Sequence, residues 1–181
     1  MFRRHIIQLG NSGVYVIYDE LEGKEAVTWS YLLHTVELPM EMKELPNEVQ
    51  VTGKNKAGGV SVAHLFSSAK TEQAIADTFF CAPTNWKNVT NAQGKALKYP
   101  NHWHFSSTTV PCKVARFLTV MDTHGNNRPD MKVVRNGNTV QVGDWIINCN
   151  LTEKGKAAIT VTNKSEKVSL NYDAGKKEGA T

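Results

Sequence analysis

The 181-residue sequence has little of several features that mark specialised classes of protein. Its three cysteines include no close pair, which excludes a cysteine-rich structural zinc site and permits at most one disulfide among Cys81, Cys112 and Cys149. It contains no apolar run near the roughly 18 residues that a membrane-spanning helix requires. Its 13 glycines and six prolines are too few for a low-complexity chain. What remains is an ordinary globular composition, long enough for one domain.

The charge balance also lacks a strong excess of one sign. Lys and Arg number 21 against 17 Asp and Glu, and the bases are spread along the chain instead of being gathered in one stripe. This distribution predicts no nucleic-acid partner. The opening residues Met1–Arg4 carry the charge of a signal-peptide start, but the residues after them are too few and too polar for its apolar core. The chain is therefore predicted to carry no export signal of its own.

The hydrophobic pattern repeats every two residues, which is the period of a β-strand. Between Val14 and Asp19, and again between Val27 and His34, apolar residues occupy alternate or nearly all positions. Short runs rich in Val, Ile and aromatic residues recur about every 8–12 residues, with turn signals between them. The pattern predicts an all-β fold, an antiparallel β-sandwich with many short strands.

The turn signals locate parts of this fold. The clearest hairpin is predicted at Asn136-Gly137-Asn138, because Asn-Gly tolerates the positive φ of tight hairpin turns. At most one short helix is expected, over Thr71–Phe79. A single sandwich domain is predicted over residues 1–173, and residues 174–181 (AGKKEGAT) are predicted to be a flexible tail because they contain no apolar anchor.

Three segments near the start of the chain and one in its middle resemble a known family. They are Arg4–Ile7 (RHII), Val14–Glu22 (VYVIYDELE), Val27–His34 (VTWSYLLH) and Asn101–Phe105 (NHWHF). In order and content these segments resemble the heparinase II/III-like polysaccharide lyases. The similarity is clearest over residues 4–36 and 101–106 and fades toward the C-terminus.

The resemblance implies a larger architecture and an activity. Members of this family have an α/α toroid followed by a β-sandwich, and they cleave uronate-containing polysaccharides by β-elimination, using a Tyr of the toroid and a His at the junction. Several hold a structural zinc through residues that precede the segments matched here. The resemblance therefore implies that this chain is the β-sandwich portion of such a lyase, with catalytic segments and zinc ligands expected upstream, so no catalytic residue is carried over. It also implies an acidic polysaccharide as partner and a periplasmic or extracellular parent enzyme.

The mechanism of β-elimination leads to the same expectation. The reaction needs a base for the proton next to the uronate carboxyl and an acid for the leaving oxygen, and it needs a group that neutralises the carboxylate. These groups must converge around the polymer. A sandwich of this size is expected to supply one wall of such a cleft and to be non-catalytic on its own.

Two histidines, His102 and His104, are candidate metal ligands. At i and i+2 on a strand, their side chains point to one face, while the aromatic residues that follow each of them point to the other. His34 or His64 would be the third ligand of a metal site. The alternative is a half-exposed polar face without metal.

Candidate substrate-binding residues lie at the end of one predicted strand and in the segment before His102. They are His34, Trp86, Lys87, Lys95, Lys98 and Tyr99. A lysine ammonium group can meet the carboxylate or sulfate of an acidic sugar while an aromatic ring stacks on the pyranose face. The alternative is a solvated loop with its rings folded onto the core, and a hydrogen-bonded structural role for His34.

Two further features are predicted to have structural roles. Asp122 and the turn at residues 124–130 hold too few carboxylates for a calcium site. Cys149 shares a strand face with Trp145 and Ile147, which predicts a buried, unreactive thiol.

Two other functions stay open. One is a free-standing carbohydrate-binding module that uses Trp86, Tyr99 and the lysine-rich loop. The other is a metal-dependent β-sandwich or barrel enzyme built on His102 and His104. A sandwich separated from its toroid would also expose an apolar face, so some self-association is predicted.

Overall fold

The computed structural model describes residues 1–36, 38–77, 90–95 and 102–176. Fourteen β-strands cover most of them. The strands are β1 (Phe2–Gln8), β2 (Val14–Val27), β3 (Ser30–Val36), β4 (Glu41–Leu45), β5 (Glu48–Lys54), β6 (Gly59–Ser67), β7 (Thr71–Ala76), β8 (His102–Thr109), β9 (Cys112–Gly125), β10 (Val133–Asn136), β11 (Thr139–Val142), β12 (Trp145–Cys149), β13 (Ala158–Asn163) and β14 (Val168–Asp173). None of the described segments forms a helix, and so none is long and apolar enough to cross a membrane as a helix.

The strands are arranged in three antiparallel sheets. The middle sheet has six strands in the order β1-β2-β9-β6-β5-β4, the five-stranded sheet is β10-β11-β12-β13-β14, and the three-stranded sheet is β3-β8-β7. Successive side chains on β9 alternate between two hydrophobic clusters, with Leu118 and Val120 in one and Ala115 and Phe117 in the other. Because successive side chains of a strand point to opposite faces, the middle sheet is packed on both sides. The predicted all-β sandwich is confirmed, here with three layers.

The first core lies between the middle sheet and the five-stranded sheet. Most of its side chains are aliphatic and almost completely buried. Its buried members are Leu9, Val14, Val16, Tyr18, Phe66, Leu118, Val120, Val140, Val142, Ile147, Cys149, Leu151, Ala157, Ile159 and Val161. The alternation of apolar residues in β11, β12 and β13 puts one face of each strand into this core, as their period of two predicts.

The second core lies between the middle sheet and the three-stranded sheet. It contains more aromatic and methionine side chains than the first core, and several of its members are only partly buried. Its buried members are Leu21, Tyr31, Met40, Val51, Ala63, Leu65, Phe105, Ala115 and Phe117. Trp29, Leu33 and Trp103 pack against its edge. The three-stranded sheet is therefore a small cover with its other face turned outward.

The predicted helix over Thr71–Phe79 is wrong for the residues that the structure describes. Thr71–Ala76 is the edge strand β7, which pairs with β8 from Thr71 opposite Thr109 to Ala76 opposite His104. Glu, Gln and Ala in this segment favour a helix, but pairing with β8 and packing of Ile75 on the second core outweigh that weak preference. Residues 78–79 lie outside the described residues.

The hairpin predicted at Asn136-Gly137-Asn138 is confirmed, with a refinement. Asn136 pairs with Thr139, so the two central turn residues are Gly137 and Asn138. Gly137 has a φ of 59°, and glycine at the first central position fits a type II′ turn. At the other end of the five-stranded sheet, the N–H of Ala174 donates to the carbonyl of Ala157 at 2.9 Å. The rest of the predicted tail, from residue 177 onward, lies outside the described residues.

Candidate functional site

The outer face of the three-stranded sheet carries the histidines that the sequence singled out. We call it the histidine face, and it consists of Ser30, Leu32, His34, His102, His104, Ser106 and Thr108 on β3 and β8, together with Glu72, Ala74 and Ala76 on β7. These side chains alternate with Tyr31, Leu33 and Phe105, which point into the second core. Tyr31 and Phe105 are almost fully buried, so packing of the inner face determines which side chains the outer face presents.

His34 and His104 are directly opposite each other in the register of β3 and β8. Their ring centroids are 6.1 Å apart. His34 is exposed, whereas His104 is 92% buried, having a relative exposure of 8%. His102 is half-buried on the same face, as its spacing from His104 predicts. The structure therefore brings together two of the predicted glycan-binding or metal-binding histidines and leaves the third beside them.

Hydroxyl groups extend the histidine face along the two strands. Ser30 and Thr108 face each other across the strands, and their hydroxyl oxygens are 2.8 Å apart. Leu32, which is 45% exposed, lies between this hydroxyl pair and the histidine pair. The face thus offers hydrogen-bond donors and acceptors around the exposed side chain of Leu32.

Of the five substrate-binding residues predicted in the lysine-rich segment, the structure describes Lys95. Lys95 is exposed and belongs to a turn in which its N–H donates to the Asn91 side chain at 2.9 Å and its carbonyl accepts from the Asn91 N–H at 2.9 Å. The other four predicted residues of this segment lie outside the described residues. They are Trp86, Lys87, Lys98 and Tyr99.

His64 does not join the histidine face. It lies on β6 with its side chain on the side of the first core, so the middle sheet separates it from His102 and His104. Its Nδ1 is 2.6 Å from a carboxylate oxygen of Glu48. Within the described ranges, no group of three or more His, Cys, Asp or Glu side chains is arranged to hold a metal ion.

The carboxylate of Asp122 forms an ion pair with Arg128. Arg128 Nη2 and Nη1 donate to its two oxygens at 2.5 and 3.1 Å, and the N–H of Met131 donates to it at 2.8 Å. Burial by itself raises the pKa of Asp122, but the hydrogen bonds from Arg128 and Met131 outweigh it and hold the pKa below its usual range. His124 is held by Asp130 at 3.0 Å. The ion pairs Arg128–Asp122 and His124–Asp130 therefore close this turn.

Ion pairs form a ladder between β1 and β2, with Arg3 and Arg4 on β1 and Asp19 and Glu20 on β2. Arg4 donates to both oxygens of the buried Asp19 at 2.7 Å on the side of the second core. On the opposite face, the fully buried Glu20 accepts a hydrogen bond from the Tyr172 hydroxyl at 2.7 Å and lies 3.0 Å from Arg3. Bidentate arginine–carboxylate pairs fix orientation as well as charge. The ladder fastens the edge strand β1, and through Tyr172 it also fastens the five-stranded sheet.

The structure settles the state of two cysteines. Cys112 and Cys149 are free thiols. Cys149 is buried in the first core, as its strand face predicted, and burial raises the pKa of its thiol to about 12. Cys81 lies outside the described residues.

Sequence reasoning missed a polar cleft at which all three sheets contribute side chains. We call it the hairpin cleft, because the β4–β5 hairpin forms one of its walls. Its charged and amide-bearing members include Glu44, Glu48, Lys70, Gln73 and Arg135. These residues are far apart in sequence and belong to no motif, so the only local signal was the Pro46-Asn47 turn between two short strands.

Comparison with known proteins adds no relative. No protein-family model matches the chain, and no curated protein matches it significantly. What the chain does has to be inferred from its own residues.

Proposed function

We propose that the chain is the β-sandwich module of a heparinase II/III-like polysaccharide lyase. In this proposal it binds an acidic, uronate-containing polysaccharide along the histidine face and does not turn it over on its own. The observation that carries the binding part of the proposal is the exposed imidazole of His34, which lies opposite the buried His104 on the outer face of the three-stranded sheet. Localisation in the periplasm or outside the cell belongs to the same proposal.

The chemistry of the histidine face suits a glycan. The exposed imidazole of His34 and the hydroxyls of Ser30 and Thr108 can exchange hydrogen bonds with sugar hydroxyls, and each of them can donate to a carboxylate or sulfate. The exposed Leu32 offers an apolar patch for the ring carbons of a pyranose. An extended polymer has room on this face because β3 and β8 pair over seven successive residue positions.

The ion-pair ladder supports a scaffold role for the residues behind the resemblance. Arg4 and Asp19 are fully engaged with each other, and Glu20 is buried beneath Tyr172. These groups hold strands together and do not converge on a reacting bond. The proposal therefore assigns binding to the histidine face and assigns the proton transfers of β-elimination to groups outside this chain.

The test combines turnover and binding on the purified chain. It would be mixed with heparin, heparan sulfate, alginate and hyaluronan, with ultraviolet absorbance recording new unsaturated uronate and calorimetry recording binding. We expect binding to at least one polymer without turnover. His34→Ala should weaken that binding by roughly fivefold or more, since one or two hydrogen bonds are lost.

A matched control is Gln141→Ala, because Gln141 is exposed on a strand of the five-stranded sheet away from the histidine face. Its binding should equal that of the parent chain. Turnover that survives repurification would overturn the non-catalytic assignment. Absence of binding to all four polymers, or binding unchanged in His34→Ala, would overturn the proposal that this face holds a glycan.

A further inference from the structure

The hairpin cleft is a cavity of about 500 Å³. Ligand pockets in proteins commonly span about 300–1,000 Å³. The middle sheet contributes Glu44 and Glu48, the three-stranded sheet contributes Gln73, and the five-stranded sheet contributes Arg135. Lys70 comes from the turn between β6 and β7. Its charged lining therefore includes two acids and two bases.

Arg135 is held in place by hydrogen bonds to two backbone carbonyls. Its Nε donates to the carbonyl of Gly137 at 2.8 Å, and its Nη1 donates to the carbonyl of Asn47 at 3.1 Å. The guanidinium carbon also lies 5.3 Å from the centre of the Phe66 ring. No carboxylate among the described residues forms an ion pair with it. A guanidinium fixed in this way is ready to receive an anionic group, because little side-chain freedom remains to be lost.

Glu48, which also lines the cleft, is held in place by a histidine. Its Oε1 lies 2.6 Å from His64 Nδ1, and both side chains are mostly buried. The Nε2 of His64 is buried and has no hydrogen-bond partner among the described residues, so none of them offers the imidazole a bond that competes with Glu48. The second oxygen of Glu48 makes no hydrogen bond within the described part of the chain. It is an acceptor that a hydroxyl group of a ligand can use.

The two fixed groups define the ligand that fits. The guanidinium of Arg135 can pair with an anionic group of a ligand. The carboxylate of Glu48 can accept a hydrogen bond from a hydroxyl or another donor. Glu44 and Glu48 repel a phosphate dianion more strongly than a carboxylate monoanion, and an apolar ligand would leave the charged lining unpaired. A neutral sugar would satisfy Glu48 but not Arg135. A hydroxylated carboxylate satisfies both.

We propose that the hairpin cleft is a binding site for a sugar acid, with the carboxylate on Arg135 and ring hydroxyls on Glu48. The choice of a uronic acid among hydroxylated carboxylates rests on the proposed function, whereas the site itself rests on the cleft. A second cavity of about 350 Å³ shares Asn47, Glu48 and Arg135 with the first. It gives a second sugar unit a place next to the first, so the cleft accepts a short chain or a chain end.

The test uses free glucuronate and glucose as probes, titrated into the intact chain and followed by two-dimensional NMR. Glucuronate should shift the signals of residues around Glu48 and Arg135. Glucose should bind at least about tenfold more weakly than glucuronate. Arg135→Gln should weaken glucuronate binding about tenfold or more and leave glucose unchanged, since a charge-assisted bond is lost. Glu48→Gln should weaken both sugars by a similar factor.

Lys132→Gln is the matched control, because Lys132 is an exposed base close to Arg135 in sequence that does not line the cleft. Thermal unfolding of each variant shows whether it is folded, and if Arg135→Gln is not, Arg135→Lys and Lys70→Gln take its place. Equal affinity for glucose and glucuronate, or shifts confined to the histidine face, would overturn the proposal. Loss of polymer binding in His34→Ala with glucuronate binding intact would separate this site from the histidine face.

Discussion

The two faces of the middle sheet are packed in different ways. Against the five-stranded sheet, side chains such as Leu118 and Ile147 are completely buried among other aliphatic groups. Against the three-stranded sheet, Tyr31 and Phe117 meet with tilted rings whose centroids are 5.8 Å apart, and Leu33 is only partly buried. A cavity of about 270 Å³ also remains on this second side, between the two sheets.

The difference shows where the molecule is stabilised and where it presents its surface. A dense aliphatic interface contributes most of the burial, and losses in it cannot be relieved by small movements. The second interface is smaller and more aromatic, and it packs the three-stranded sheet against the middle sheet. The outer face of the three-stranded sheet is the histidine face. Both proposed sites involve this cover, since the hairpin cleft takes Gln73 from it.

The largest expected effect is a loss of stability on truncating side chains, and it should differ between the two cores. Leu118→Ala removes a fully buried side chain from the first core and should lower the free energy of unfolding by about 3–5 kcal/mol. Leu33→Ala removes a partly buried side chain from the second core and should cost about 1–2 kcal/mol. Urea unfolding of both variants measures the two values. Equal losses would show that the two interfaces are equally tight.

A second, smaller effect concerns the charged border of the first core, where Asp122 ties β9 to the start of the five-stranded sheet through Met131. Asp122→Asn should lower the free energy of unfolding at neutral pH by about 1–3 kcal/mol, because Arg128 loses its charged partner. Since the pKa of Asp122 is lowered in the folded state, its contribution is present above about pH 4 and is lost as pH falls further.

Unfolding measured between pH 6 and pH 2 checks this prediction. The parent chain should lose more stability on acidification than Asp122→Asn does. Asp130→Asn is the matched control, because Asp130 is 54% exposed and, among the residues that the structure describes, pairs with His124 alone. A parallel loss in the parent chain and in Asp122→Asn would show that this carboxylate is not linked to folding.

The smallest expected effect is on chemical reactivity and leaves the fold intact. Cys149 lies in the first core, and its raised pKa of about 12 keeps the thiol protonated at neutral pH. Cys112 is partly exposed at the edge of the second core. Brief treatment with iodoacetamide should modify the Cys112 peptide and leave the Cys149 peptide unmodified, as read by mass spectrometry. Modification of both at similar rates would contradict the prediction and would mean that the first core opens often enough to expose Cys149 during the treatment.

Much of the fold could be predicted from local sequence. The period of two in β11, β12 and β13, and the Gly137 turn, depend on neighbouring residues and were read correctly. The same holds for Cys149, whose strand face follows from alternation alone. The segment Thr71–Ala76 could not be read in this way, because its strand state comes from pairing with β8, which is distant in sequence.

In the candidate sites too, some features follow from local sequence and others depend on strand pairing. That His102 and His104 share one face follows from their spacing, so the sequence alone predicted it. That His34 lies opposite His104 follows from the β3–β8 register, which the sequence does not specify. His64 was grouped with these residues by type, yet the middle sheet separates them.

By itself, the sequence determined the all-β class, the alternation of buried and exposed positions, and the turn at Gly137. Alternation and turn geometry are properties of a few consecutive residues, so they can be predicted without knowing which strands pair with one another. Only the tertiary structure decided that the sheets form three layers, that Arg128 occupies Asp122, and that Glu48 and Arg135 face one cleft. These contacts join residues from strands far apart in the chain, and their pairing is decided by which faces can be buried together.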